Sequence, residues 1–203
     1  MELNNTNKKI LLFFRKKDSV VYSLIEEYGV IEVVPSKTYF ANLCRSIINQ
    51  QISNKAGRAI FERFINLFPD KNPGPEKLLK IKDEKLRGVG MSKTKVSYLK
   101  DLSKKIIIGE LLLENIDTMG DTEVIEQLVR VKGIGSWTAE MFLMFSLGRE
   151  NIFSHGDLGL RNAIKKLYKL ENPSKQQIEG IVENWSPYKT YVCKLLWRSL
   201  NNQ

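Results

Sequence analysis

The chain has 203 residues, a formal charge of +9 (32 Lys and Arg against 23 Asp and Glu), 42% hydrophobic residues, 6 prolines and 13 glycines. That length supports one domain with a sizeable core, bilobed at most, and the composition excludes a long low-complexity or disordered stretch. The start, "MELNNTNKKILLFFRKK", holds only five consecutive apolar residues between basic pairs, too few for a secretory core or a membrane span, so a cytoplasmic protein is expected. The two cysteines, Cys44 and Cys193, sit in apolar stretches and read as reduced core thiols; a four-cysteine iron–sulfur cluster is excluded.

Along the chain, apolar residues recur at helical spacing. Each such segment is opened by a small polar residue able to accept from the unpaired first-turn N–H groups. The candidate caps are Asp18, Ser36, Ser53, Asp83, Ser92, Asp121, Ser136, Asp157, Ser174, and Ser186 with Pro187 at the first helical position. About ten helices follow. Gly29 and Gly90 suit C-terminal stops, "FPDKNPGPE" at 68–76 reads as a turn-rich connector, and "GVIEVVP" at 29–35 suits a short extended link. With no convincing strand, the expected fold is all-α.

Charge is unevenly spread. Residues 77–105 carry ten Lys or Arg against three acids, whereas 106–126 carry six acids and no base. Such a field attracts polyanions, nucleic acid first, although a solvated lysine-rich helix face gives the same pattern.

The stretch "LVRVKGIGSWTAEMFLMFSLGR" at 128–149 is chemically the most telling. An amphipathic helix, a "KGIG" turn and a nearly all-apolar helix make a helix–hairpin–helix. Gly133 and Gly135 permit positive backbone dihedrals and close approach of another backbone. The amides opening the second helix, with the positive end of its dipole, suit a phosphate, and Lys132 adds a mobile charge without base specificity. A tight hairpin with nothing bound remains the alternative. Twenty-two residues past Gly135, in "FSHGDLGLRNAI", Asp157 follows a glycine and opens a new helical pattern. By itself it reads as an N-cap worth about 1 kcal/mol.

Taken together, the hairpin followed by "GDLGLR" resembles the helix–hairpin–helix DNA glycosylases, in the branch that excises 3-methyladenine and other alkylated bases. The resemblance covers most of the chain, extending to "LCRSIINQQISNKAGRAIFERF" at 43–64, "LRGVGMSKTKVSYLKDLSKKI" at 86–106 and "VENWSPYKTYVCKLLWRSL" at 182–200. It implies a single all-α, bilobed glycosylase domain without an N-terminal β subdomain. Lobe one would span about 34–148 and lobe two 1–33 plus 149–203, with Asp157 in the cleft between them.

On the resemblance, the hairpin residues Lys132, Gly133, Ile134, Gly135 and Ser136 would hold the DNA backbone near the lesion, and Asp157 would be the catalytic aspartate. Trp137 stands where strand-cutting relatives carry a lysine that forms a Schiff base, which an indole cannot do, so a monofunctional enzyme using water is implied. Trp197 matches an aromatic of the base pocket, with Tyr191 as a further pocket wall. Gln51 occupies the place of the side chain that fills the gap in the duplex, a departure from the leucine of the familiar bacterial enzyme. The expected partner is double-stranded DNA containing a damaged base, the expected state a monomer. No cofactor or metal is expected, beyond room for a structural monovalent cation at the hairpin.

The chemistry also follows from the residues. A base inside a duplex must be flipped out before its bond to the sugar can be reached. Aromatic faces stack on any base and favour a purine made cationic by alkylation. A cationic base leaves readily, so the remaining need is a carboxylate that stabilises positive charge on the sugar and orients water. His155 reads as a loop residue near the DNA or a proton donor to a neutral base. Tyr188 and Tyr191 read as cleft wall or core, and "GMSKTK" at 90–95 as a second backbone contact or a solvated turn. The rival functions are a glycosylase for deaminated or oxidised purines and a non-catalytic DNA-binding helix–hairpin–helix protein.

Overall fold

The computed structural model describes residues 5–201. Among these, all regular secondary structure is helical, in twelve α-helices, as the spacing of apolar residues predicts. None of the described helices is long and apolar enough to cross a membrane. The segment 29–38 is irregular. The chain folds as two compact units, one from Ser36–Leu147 and the other from Met1–Pro35 with Gly148–Gln203.

The continuous unit holds α3 (Tyr39–Asn49), α4 (Asn54–Ile65), α5 (Pro75–Lys80), α6 (Asp83–Gly88), α7 (Lys93–Ile107), α8 (Asp121–Leu128) and α9 (Ser136–Phe145). α3 is its spine and packs on α4, α7 and α9, while α7 also receives α5 and α6. Leu43, Ile47, Ile48, Phe64, Leu99, Leu102 and Leu143 are fully buried there. Each removes the equivalent of about 1.5–3 kcal/mol of apolar surface from water. Cys44 is buried and unbridged, and burial pushes its thiol far up from the ordinary range.

The other unit joins α1 (Asn5–Lys17) and α2 (Ser19–Tyr28) to α10 (Leu158–Leu167), α11 (Lys175–Glu183) and α12 (Lys189–Asn201). α12 packs on α10 and α2. Asp18 is its polar pin. Oδ1 caps α2 through the N–H groups of Val20 (3.0 Å) and Val21 (3.1 Å). Oδ2 accepts from the Tyr168 hydroxyl and, at 3.0 Å, from Nε1 of the fully buried Trp185.

Ser53, Ser92 and Ser174 also cap as the sequence predicts, Ser174 in a reciprocal box with Gln177. The other boundaries differ. Ser36 instead bonds with the Thr38 hydroxyl (3.0 Å) and accepts from Asn42 Nδ2 (3.2 Å), so α3 starts two residues beyond the expected place. Asp83, Asp121 and Ser136 are first helical residues rather than caps, following Lys82, Gly120 and Gly135. The acids there act through the helix dipole. The Ser186–Pro187 bond is cis and α12 begins only at Lys189. Two helices open where no cap is expected: α1, and α5, whose Gly74–Pro75 start lies inside the segment read as connector.

Candidate functional site

In the continuous unit, the hairpin between α8 and α9 is held on three sides. The Ile134 N–H donates to Val131 O (3.0 Å), closing the turn, and the Ile134 side chain is a core residue at 4% exposure. What Ile134 contributes is therefore a plug, not a side-chain contact. Asp101 of α7 accepts the backbone N–H of Lys132 at 2.8 Å, which leaves the lysine side chain exposed. Gly133 has φ +82, and a Cβ on it would lie 2.1 Å from the Tyr98 ring, so glycine is required there for both conformation and space.

Gly135 differs from the expectation. Its backbone is extended (φ −97, ψ 176), which any residue adopts, and a Cβ there would meet nothing within 4 Å. Its importance is as the N-cap of α9: with no side chain, it makes no side-chain cap bond to the first-turn amides. The dipole end and these amides face outward beside exposed Ser136.

Beside the hairpin lies a cavity of about 740 Å³ lined by Asn49, Gln51, Tyr98, Gly133, Trp137 and Met141, among others. Trp137, from the first turn of α9, is 47% exposed although it sits in an otherwise apolar helix. Gln51 is exposed, in the turn after α3, with φ +57. Thus Gln51, Gly133 and Trp137 share one cavity.

The basic field is more selective than its sequence suggests. Lys77 and Lys105 pair with Asp70 and Glu110, each at 2.6 Å, and Lys100 turns inward to Leu79 O (3.1 Å) and Ile81 O (2.6 Å). Lys95 donates to Ile48 O (2.7 Å), and burial pulls its ammonium below the usual range. Lys93 and Lys104 of α7, with Lys132 of the hairpin, line a depression of about 580 Å³.

In the other unit, Asp157 is the N-cap of α10 and 9% exposed. Its Oδ1 accepts the Leu160 N–H at 2.9 Å, and the Trp197 indole Nε1 lies 3.5 Å away. A carboxylate so placed is stabilised by the helix dipole. Gly159 is the residue that sequence reasoning missed here. A Cβ on it would come within 3.0 Å of Asp157 Oδ1 and 3.8 Å of the Trp197 ring, and the second glycine of "GDLG" is the signal that could have found it. Trp197 is half-buried. Tyr191, expected as a pocket wall, is a core residue at 3% exposure; its hydroxyl donates to Glu150 at 2.5 Å and its ring packs edge-on against Tyr188. Burial, then the Glu150 bond, pushes its phenol far up. His155 is an exposed loop residue edge-on to Phe153.

Among the described residues no cluster of His, Cys, Asp and Glu could hold a metal ion. The arrangement presents exposed Lys132 and Ser136 at one helix end, and a carboxylate with an indole beside it at another.

Residues 44–187 match the HhH-GPD superfamily of base excision DNA repair proteins. DNA-3-methyladenine glycosylase 1 of Schizosaccharomyces pombe is 32% identical over 179 residues, 87% of this chain and 78% of the relative. The chain spans only 64% of the length of a Bacillus subtilis relative that it matches at 32% identity over 88% of its own length. Among solved structures, a DNA-3-methyladenine glycosidase from Bacillus halodurans superposes with a TM-score of 0.83 at 36% identity, covering 98% of this chain and 91% of that one. The S. pombe 3-methyladenine DNA glycosylase Mag1 in complex with abasic DNA does so at 0.81 and 30%, covering 94% and 95%. The chain therefore belongs to the HhH-GPD superfamily of base excision DNA repair proteins, in its 3-methyladenine DNA glycosylase branch.

Proposed function

We propose that the protein is a monofunctional DNA glycosylase that flips an alkylated base of the 3-methyladenine type out of duplex DNA and hydrolyses its N-glycosidic bond, acting as a monomer. The observation that carries this is the Asp157 carboxylate at the start of α10, buried to 9% exposure beside the Trp197 indole. The names of the relatives support the substrate class, and the abasic DNA bound to Mag1 supports the partner.

In the proposed reaction the bond between sugar C1′ and the base nitrogen breaks, its electron pair neutralising the cationic base. The positive charge left on the sugar is met by the Asp157 carboxylate. Water adds to C1′ and gives its proton to that carboxylate or to solvent, leaving an abasic site. Trp197 and the exposed Trp137 supply ring faces for the base, favoured when that base is cationic. Lys132 and the α9 amides hold phosphates, and Gln51 fills the vacated space. Trp137, at the position a Schiff-base amine would need, supports hydrolysis without strand cleavage. A structural monovalent cation at the hairpin would be confined to holding the turn through carbonyls such as Val131 O and Gly133 O, each of which already accepts one hydrogen bond.

Chromatography of the bases freed from methylated duplex DNA tests this. Release of 3-methyladenine with the strand intact is expected. Release of no base would leave a DNA-binding module, and hypoxanthine released in its place would move the specificity to deaminated purines.

A further inference from the structure

The carbonyl of Gly133 is where two distant segments are tied. Gln50, 83 positions earlier in the chain, donates its Nε2 to that oxygen at 2.7 Å. Gln50 ends α3, with its own N–H on Ile47 O, and the next residue, Gln51, turns into the left-handed region at φ +57. The end of α3 is braced again by Lys95, whose Nζ donates to Ile48 O. The acceptor belongs to a tightly packed turn, since Gly133 sits at φ +82 under the Tyr98 ring with no room for a Cβ. Gln51 therefore projects from a chain pinned at the residue immediately before it.

We propose that Gln50 is a positioning residue that links the phosphate-holding hairpin to the gap-filling turn, so that the seating of the hairpin on the backbone sets how far Gln51 enters the duplex. This rests on the DNA-binding reading of the surface given above. The physical argument is mechanical. A side chain that props open a base stack needs a reaction force, and the grip on the residue immediately before Gln51 is the bond to the hairpin. The four-residue turn 50–53 has one other fixed end, the Ser53 cap of α4, which lies beyond Gln51. Without the Gln50 amide the turn keeps its helices but loses its register to the hairpin.

The test uses Gln50→Met, which keeps length and apolar stem and removes the donor without adding charge. Three quantities are measured: affinity for an intact duplex, affinity for the same duplex with a tetrahydrofuran abasic analogue, and single-turnover excision from duplex and from single-stranded methylated DNA. The expected result is intact-duplex affinity within about twofold and a preference for the abasic duplex reduced on the order of tenfold, the worth of one well-placed hydrogen bond. Excision should fall by a similar factor on duplex and stay unchanged on single strands, which have no gap to fill. Equal losses on all substrates would mean a merely structural role and overturn the proposal, as would a wild-type protein without abasic preference. Failure of the glycosylase reading appears separately, as wild-type protein that releases no base, and the binding comparison still decides the role of Gln50.

Discussion

α10 opens on a carboxylate, whereas α9 opens on a bare glycine. The Asp157 side chain accepts the Leu160 N–H and lies against an indole N–H, while Gly135 offers the α9 amides nothing. Both helices are ten residues long and carry the same partial positive charge of roughly half a unit at their first turn. At α10 that charge stabilises a fixed anion, and the resulting spot favours a cation. At α9 the cap supplies no such anion, and the spot favours one from outside. On the proposed function, one backbone device serves a developing sugar cation in one unit and phosphate in the other, and the choice is made by a single side chain at the N-cap.

The strongest way to break this comparison is to remove the charge at α10 and keep the cap. Asparagine caps about as well as aspartate, so Asp157→Asn should leave the folding midpoint nearly unchanged. Single-turnover excision should fall about 100-fold to 1,000-fold, as for losing one preorganised electrostatic partner. A variant within a few-fold of wild type would reduce Asp157 to a cap.

The converse experiment puts the missing cap into α9. Gly135 has extended dihedrals and open space around its Cβ position, so Gly135→Asp should fit and stabilise the helix by roughly a few tenths of a kcal/mol, glycine itself being a fair cap. It should also weaken duplex binding on the order of tenfold at low salt, by the same charge that Asp157 uses. Tighter folding with unchanged DNA affinity would show that phosphate does not sit at this helix end. Lys132→Ala sharpens the same point with a smaller effect. Its backbone stays tethered to Asp101, so only the mobile charge is lost. Affinity should drop equally for damaged and undamaged duplex, and the salt dependence should shallow by about one phosphate contact.

The smallest effect is expected from Trp137→Lys. An amine at this exposed position stays protonated and unaimed, so borohydride should trap no covalent adduct and no strand break should appear. A trapped adduct would show that the site needs only an amine to become a lyase.

Much of this was legible in the sequence because it is local. Asp18, Ser53, Ser92, Asp157 and Ser174 cap helices that start one residue later, and Gly133 takes the positive φ that its turn requires. The α9 cap was displaced by one residue because Ser136 is the better capping side chain, yet the chain turns at Gly135. Tyr191 shows the limit of helical spacing: it lies near Trp197 in sequence, but burial and the Glu150 bond place it in the core. The contacts that set the hairpin were invisible for another reason. Asp101 to Lys132 and Gln50 to Gly133 join residues 31 and 83 positions apart, and no periodicity encodes such pairs.

The pin made by Asp18 also orders events during synthesis. Its indole partner, Trp185, is 167 residues downstream, and ribosomes add about 5–20 residues per second. Asp18 therefore waits on the order of ten seconds or more, and with it the apolar faces of α1 and α2, including Ile10, Phe14, Val21 and Leu24, which the finished fold buries. The 36–147 unit, being continuous, can complete its contacts during that wait. The amino-terminal helices are thus the part of the nascent chain that needs shielding, and substitutions there should lower the yield of folded protein in cells more than the stability of the protein once made.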